Sequence, residues 1–183
     1  MKNLFSFLFF LILCGNVNAQ TKFSGVPLNV TRQKFCEEMS LKYEPVFYGN
    51  GNLHYFLFTF LGIDNCQLNV NGGDGEIYLQ ISPPYINSRY DHIEEAKLIF
   101  DAYTQKYGSH KYYSRSYNNE LHWTYYDYYW ELKDCEIQYE QTILHDNRTT
   151  WNVYYWTGDY RPGKETMSIN TDKPKQQATL NDI

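Results

Sequence analysis

The sequence predicts an α+β protein built from two tandem units, each a helix followed by a four-stranded antiparallel sheet. Three observations carry that expectation. The stretch Leu53-His54-Tyr55 through Cys66-Gln67-Leu68-Asn69-Val70 returns as Leu121-His122-Trp123 through Cys135-Glu136-Ile137-Gln138-Tyr139, with offsets that differ by one residue. Cys66, Leu68, Val70 and then Ile77, Leu79, Ile81 alternate with more polar residues, the period of a sheet buried on one face. Two amphipathic helical stretches each stand before four strand-like segments.

Taken in order, Met1-Lys2-Asn3, the apolar run Leu4 to Cys14 and the polar, small-residue stretch to Ala19 have the layout of a cleavable secretory signal over residues 1–19. The run is shorter than the roughly 20 residues that span a bilayer as a helix. The first αβ4 unit is expected over residues 20–84. In it Thr31 caps a helix running to about Lys42, with Val30 and Phe35 as a hydrophobic staple and Phe35, Cys36, Met39 and Tyr43 on the inner side. Strands follow at Val46 to Gly49, His54 to Leu61, Cys66 to Val70 and Glu76 to Ser82, and Pro83-Pro84 closes the unit.

The second unit is expected over residues 85–157. Its helix runs from an Asp91 cap to a Gly108 stop, with Ile93, Ala96, Phe100, Tyr103 and Tyr107 inward. Its strands are Tyr112 to Tyr117, Leu121 to Glu131, Cys135 to Ile143 and Thr150 to Trp156. From Gly158 the composition turns polar with few aliphatic residues, which predicts a flexible C-terminal tail over residues 158–183.

The net charge of −5 becomes −6 when Lys2 leaves with the signal, and no cluster of Lys and Arg could neutralise successive phosphates, so nucleic acid is not an expected partner. A secreted or periplasmic protein is expected, with no transmembrane segment. Cys36, Cys66 and Cys135 remain after cleavage. They read either as inert buried thiols or as one bridge, Cys36 to Cys66 or Cys66 to Cys135, with one thiol left over.

The opening Phe23-x-Gly25-Val26-Pro27-Leu28 and the helix end Lys106-Tyr107-Gly108 look like those of a group of small secreted bacterial proteins. The tandem order of one helix and four antiparallel strands resembles the beta-lactamase-inhibitor-like fold, over roughly Phe23 to Trp156. That resemblance implies sheets forming a concave surface that grips protein partners, and it transfers no functional residue.

Aromatic residues make up 19% of the chain and crowd the second unit. Aligning the repeats sets Phe56, Phe58 and Phe60 against Thr124, Tyr126 and Tyr128, which puts the latter three in the core. Trp123, Tyr125, Asp127 and Tyr129 then face outward, joined by Asn152, Tyr154 and Trp156. Rigid rings lose little entropy on binding, so this face is the expected binding site; strand-forming tyrosines that merely pad the fold would give the same pattern. The histidines are scattered without metal-ligand spacing, Glu37-Glu38 and Glu94-Glu95 are adjacent acids on helix surfaces, and no catalytic motif assembles. Neither metal nor cofactor is expected. The reading is a secreted, non-enzymatic interaction protein that contacts a protein partner through an aromatic sheet face. Glycan binding, and an extracytoplasmic hydrolase in which Asp127 takes part, are the alternatives.

Overall fold

The computed structural model describes residues 21–47, 53–73, 76–84 and 90–157, without the side chain of His54. The expected signal, the expected tail, Gly49 and the turn Asn50-Gly51-Asn52 lie outside the described residues.

The protein is mixed α+β and mostly antiparallel sheet. A short hairpin, β1 (Lys22–Phe23) and β2 (Val26–Pro27), leads into helix α1 (Arg32–Ser40). Strands β3 (Glu44–Phe47), β4 (Leu53–Phe60), β5 (Ile63–Gly73) and β6 (Glu76–Ser82) follow. Then come helix α2 (Ile93–Tyr107) and strands β7 (Tyr112–Asn118), β8 (Trp123–Glu131), β9 (Glu136–Ile143) and β10 (Thr149–Trp156). Strands β3 to β10 form one eight-stranded antiparallel sheet in the order β3-β4-β5-β6-β10-β9-β8-β7. The seam pairs Val153 with Ile81 and Trp156 with Tyr78. Thr157 completes it, its hydroxyl oxygen accepting from the Ile77 N–H at 2.8 Å.

Both helices lie on one side of the sheet. Phe35 and Met39 of α1 and Ala96, Ile99 and Tyr103 of α2 join one core cluster with alternate strand residues such as Phe56, Leu68, Leu79, Ile137, Tyr139 and Trp151. Each fully buried Phe, Leu or Ile contributes about 1.5–3 kcal/mol relative to exposure. Phe56 and Phe58 are buried as expected, and so is Tyr128, while Tyr126 packs against the core half-buried. Thr31 caps α1, its side chain accepting from the Lys34 N–H, and the helix stops at Ser40, two residues before the expected end.

Several expectations are corrected. Asp91 does not cap α2: its carboxylate accepts from the Thr149 N–H at 2.8 Å, tying the helix start to β10, and His92 occupies the cap position without its side chain accepting from a helix N–H. On α2, Ala96, Phe100, Tyr103 and Tyr107 face the core as expected, Phe100 and Tyr107 half-buried, but Ile99 joins them fully buried and Ile93 is exposed. Strand β5 is longer than Cys66 to Val70 and runs through the expected glycine turn as far as Gly73. Gly72 has φ 125° and a Cβ there would run into the Glu76 carbonyl, so the strand needs glycine at that point.

The residue-by-residue match between the two halves does not extend to strand register. Phe58 pairs with Cys66 in the β4–β5 hairpin, whereas the β8–β9 ladder ends at Glu131 with Glu136, leaving Cys135 in the turn. The second hairpin has a longer connection, which shifts its pairing. No helix among the described residues is long and apolar enough to cross a membrane.

Candidate functional site

The seven residues singled out from the sequence all lie on the sheet side away from the helices. Strand alternation and cross-strand register put them there, in rows that run across β6, β10, β9, β8 and β7. One row is Tyr78, Trp156, Glu136, Glu131. The next is Gln80, Tyr154, Gln138, Tyr129, Tyr112. A third runs from Asn152 through Glu140 and Asp127 to Ser114, and a fourth holds Thr150, Thr142, Tyr125 and Ser116. Trp123, opposite Asn118, closes the face.

The face is not as open as the alternation suggests. Asp127, Tyr129 and Trp156 are buried; Trp123, Tyr125, Asn152 and Tyr154 are half-buried. Large side chains on neighbouring strands stand about 5 Å apart and shield one another. Tyr78 stacks on Tyr154 with centroids 5.8 Å apart, and Trp156 leans on both at 5.7 and 5.9 Å. Trp123 and Tyr125 form a second, looser pair at 6.4 Å.

Beside these aromatic groups lie two polar clusters, whose acids Asp127 and Glu140 stand opposite each other across the β8–β9 ladder. Asp127 accepts from Gln138 Nε2 at 2.6 Å and from Ser114 Oγ at 3.1 Å. Glu140 accepts from Asn152 Nδ2 at 2.9 Å, and more weakly from the Tyr154 hydroxyl at 3.4 Å. Asn152 Oδ1 accepts in turn from Ser82 Oγ at 2.8 Å and from Gln80 Nε2 at 3.3 Å. Burial raises the Asp127 carboxyl above its ordinary value, against the pull of the Gln138 and Ser114 hydrogen bonds. Burial also raises Glu140, the Asp127 charge adds to the effect, and hydrogen bonds from Asn152, Tyr154 and Thr142 oppose it. No lysine, arginine or histidine among the described residues pairs with either carboxylate.

Glu140, Gln138, Ser82, Gln80 and Tyr78 belong to this site and were missed in the sequence. The signal was present: Glu136, Gln138, Glu140 and Thr142 alternate with Ile137, Tyr139 and Gln141, so one face of β9 had to carry two acids. What the alternation does not reveal is which residues of β8 they oppose.

Other titratable groups lie elsewhere. His92 contacts Glu95 at 2.7 Å, and Glu95 also accepts from the Trp151 indole at 3.1 Å, pinning α2 to the sheet. His110 sits against Tyr128, and burial lowers its pKa. Cys36, Cys66 and Cys135 are all free thiols, and burial pushes Cys66 and Cys135 up to about 12. Among the described residues no three His, Cys, Asp or Glu side chains form a metal-binding group. No protein-family model and no curated protein matches the chain.

Proposed function

We propose that this is a secreted, non-enzymatic interaction protein that holds a protein partner on the helix-free side of its sheet. The observation that carries the reading is the placement of two aromatic groups, Tyr78-Tyr154-Trp156 and Trp123-Tyr125, on one face with two hydrogen-bonded polar clusters, one around Asp127 and one around Glu140. Aromatic anchors around a set of oriented polar groups are the composition of a protein contact surface. The same ingredients suit a glycan, because planar carboxylates and amides accept and donate to sugar hydroxyls while rings stack on sugar faces. That second reading rests on Asp127, Glu140 and Asn152 lying in one row.

We further propose that the fold arose by doubling of a helix-plus-four-strand unit, in the manner of the beta-lactamase-inhibitor-like class. The order of elements supports this: a helix and four strands occur twice, and the sheet runs outward from the β6–β10 seam as β6-β5-β4-β3 on one side and β10-β9-β8-β7 on the other. The unequal hairpin registers then reflect later divergence.

The test is affinity capture from the envelope and culture fluid of the producing cell, run in parallel with a glycan array, on the natural protein and on a Trp123→Ala, Tyr125→Ala variant. A protein retained by the natural form and lost by the variant is expected. Glycan signals lost by the variant would select the second reading. Equal retention by both proteins sinks the proposal that this face binds.

A further inference from the structure

The charged residues that the described strands place on this face are all acidic. Strand residues on the helix-free side include Glu44, Glu76, Asp127, Glu131, Glu136 and Glu140. The whole eight-stranded sheet contains a single lysine or arginine, Arg115, which lies on the helix side over the Tyr126 ring at 5.5 Å. Two acid pairs stand directly across the β8–β9 ladder, Asp127 opposite Glu140 and Glu131 opposite Glu136. Like charges directly opposite on one face destabilise a sheet. Glu131 has Lys111 as a partner, but Asp127 and Glu140 have only neutral donors.

A second observation is independent of the acids. Trp156 is 5% exposed, lies in the row of Glu136, and its indole N–H has no acceptor among the described residues. A buried N–H without a partner loses its hydration with nothing in return, on the order of 1–3 kcal/mol. Among the described residues, therefore, no cation pairs with Asp127 or Glu140 at one place and no hydrogen bond reaches the Trp156 indole at another. Four residues of strand separate Trp156 from Asn152, the neighbour of Glu140, about 13 Å at 3.3 Å per residue.

We propose that the occupant is an extended basic segment of a protein partner, with a lysine or arginine side chain set between Asp127 and Glu140 and a backbone carbonyl accepting from Trp156 Nε1. This rests on the reading of the face as a protein contact surface and names its chemistry. A neutral glycan would leave the opposed charges uncompensated, and nucleic acid has the wrong sign. A metal ion would find two carboxylates and no third His, Cys, Asp or Glu ligand among the described residues. A polyamine would supply the cation but nothing for the indole N–H.

The experiment measures fluorescence anisotropy with labelled eight-residue peptides of alternating Gly and Arg, Gly and Gln, or Gly and Glu. The proteins are the natural form, Asp127→Asn with Glu140→Gln, and Trp156→Phe, each first shown to unfold cooperatively. The Gly-Arg peptide is expected to bind the natural protein about tenfold or more tighter than the Gly-Gln peptide, weakening as salt rises between about 0.03 and 0.3 M. The amide variant should lose about tenfold of that affinity, and Trp156→Phe a smaller factor without change in the salt dependence. Undiminished binding to the folded amide variant overturns the inference, as does equal binding of Gly-Gln, or failure of Gly-Arg to bind at all. An unchanged Trp156→Phe together with full displacement by spermine would assign the site to a small polyamine instead. If the amide variant still captures the protein that the Trp123→Ala, Tyr125→Ala variant loses, the binding face stands and only its basic occupant is wrong.

Discussion

Asp127 and Glu140 stand opposite each other at a place where the fold alone gains nothing from their charges. Gln138, Ser114, Asn152 and Thr142 satisfy their lone pairs, yet burial raises both carboxyls above their ordinary values of 3.8 and 4.5. A raised folded-state pKa means that the folded protein holds protons the unfolded chain has released, so stability falls as pH rises across that interval. The contribution is fully present below the unfolded values and is lost as pH climbs through the folded ones. Asp127→Asn with Glu140→Gln removes the repulsion while keeping shape and most of the hydrogen bonding. Its melting temperature at about pH 7 should exceed that of the natural protein by roughly 3 °C, for about 1 kcal/mol of relieved like-charge contact in a chain of this size. Melting curves between about pH 3.5 and pH 7 should show the gap closing on the acid side. Parallel curves over that range would mean that the pair carries no such load.

At the scale of the element, the hairpin between β4 and β5 contains a visible conflict. Phe60 pairs with Ile63 around Leu61 and Gly62, which have φ 51° and 85°. A two-residue turn with both central φ positive favours Asn-Gly, and a leucine there is held in a left-handed conformation at a cost of about 1–2 kcal/mol. Leu61 is exposed and buries little in return. Leu61→Asn should therefore raise the urea midpoint by an amount equivalent to about 1 kcal/mol, and a lowered midpoint would show that the leucine packs in a way its exposure conceals. Strand alternation and the existence of both helices were legible because they follow from local periodicity. The phase of α2 was legible only in part. Ile93, Ala96, Leu98, Ile99, Phe100, Tyr103 and Tyr107 cover more than one side of the helix, so two neighbouring phases bury nearly equal apolar area. Contacts distant in sequence choose between them: the Tyr139 hydroxyl donates to the Ala96 carbonyl at 2.9 Å, and the Trp151 indole donates to Glu95. The same holds for the site. Its face could be read from alternate residues, whereas the opposition of Asp127 to Glu140 depends on a ladder register set by the connection between Glu131 and Glu136.

At the scale of the whole molecule, elements from both sides of the β6–β10 seam are tied together. Phe23 packs edge-on against Tyr155 at 5.4 Å and against Phe58 at 5.8 Å, and Phe60 lies 6.1 Å from Trp151, so one core crosses the β6–β10 seam. Thr21, ahead of β1, hydrogen-bonds through its N–H to Asp134 at 3.0 Å. Such ties favour a single cooperative transition over two independent ones. All four tryptophans, Trp123, Trp130, Trp151 and Trp156, belong to β8 and β10, so their fluorescence is weighted to the second half and the seam, while far-ultraviolet circular dichroism reports on both halves evenly. Phe35, fully buried on α1 in the first half, supplies the perturbation. Truncation of a core phenylalanine to alanine costs about 3–5 kcal/mol. In urea titrations of Phe35→Ala, fluorescence and dichroism should shift to the same lower midpoint. A fluorescence midpoint left at its natural value while dichroism moves would mean that the halves unfold separately, and that the seam joins two stable units instead of completing one.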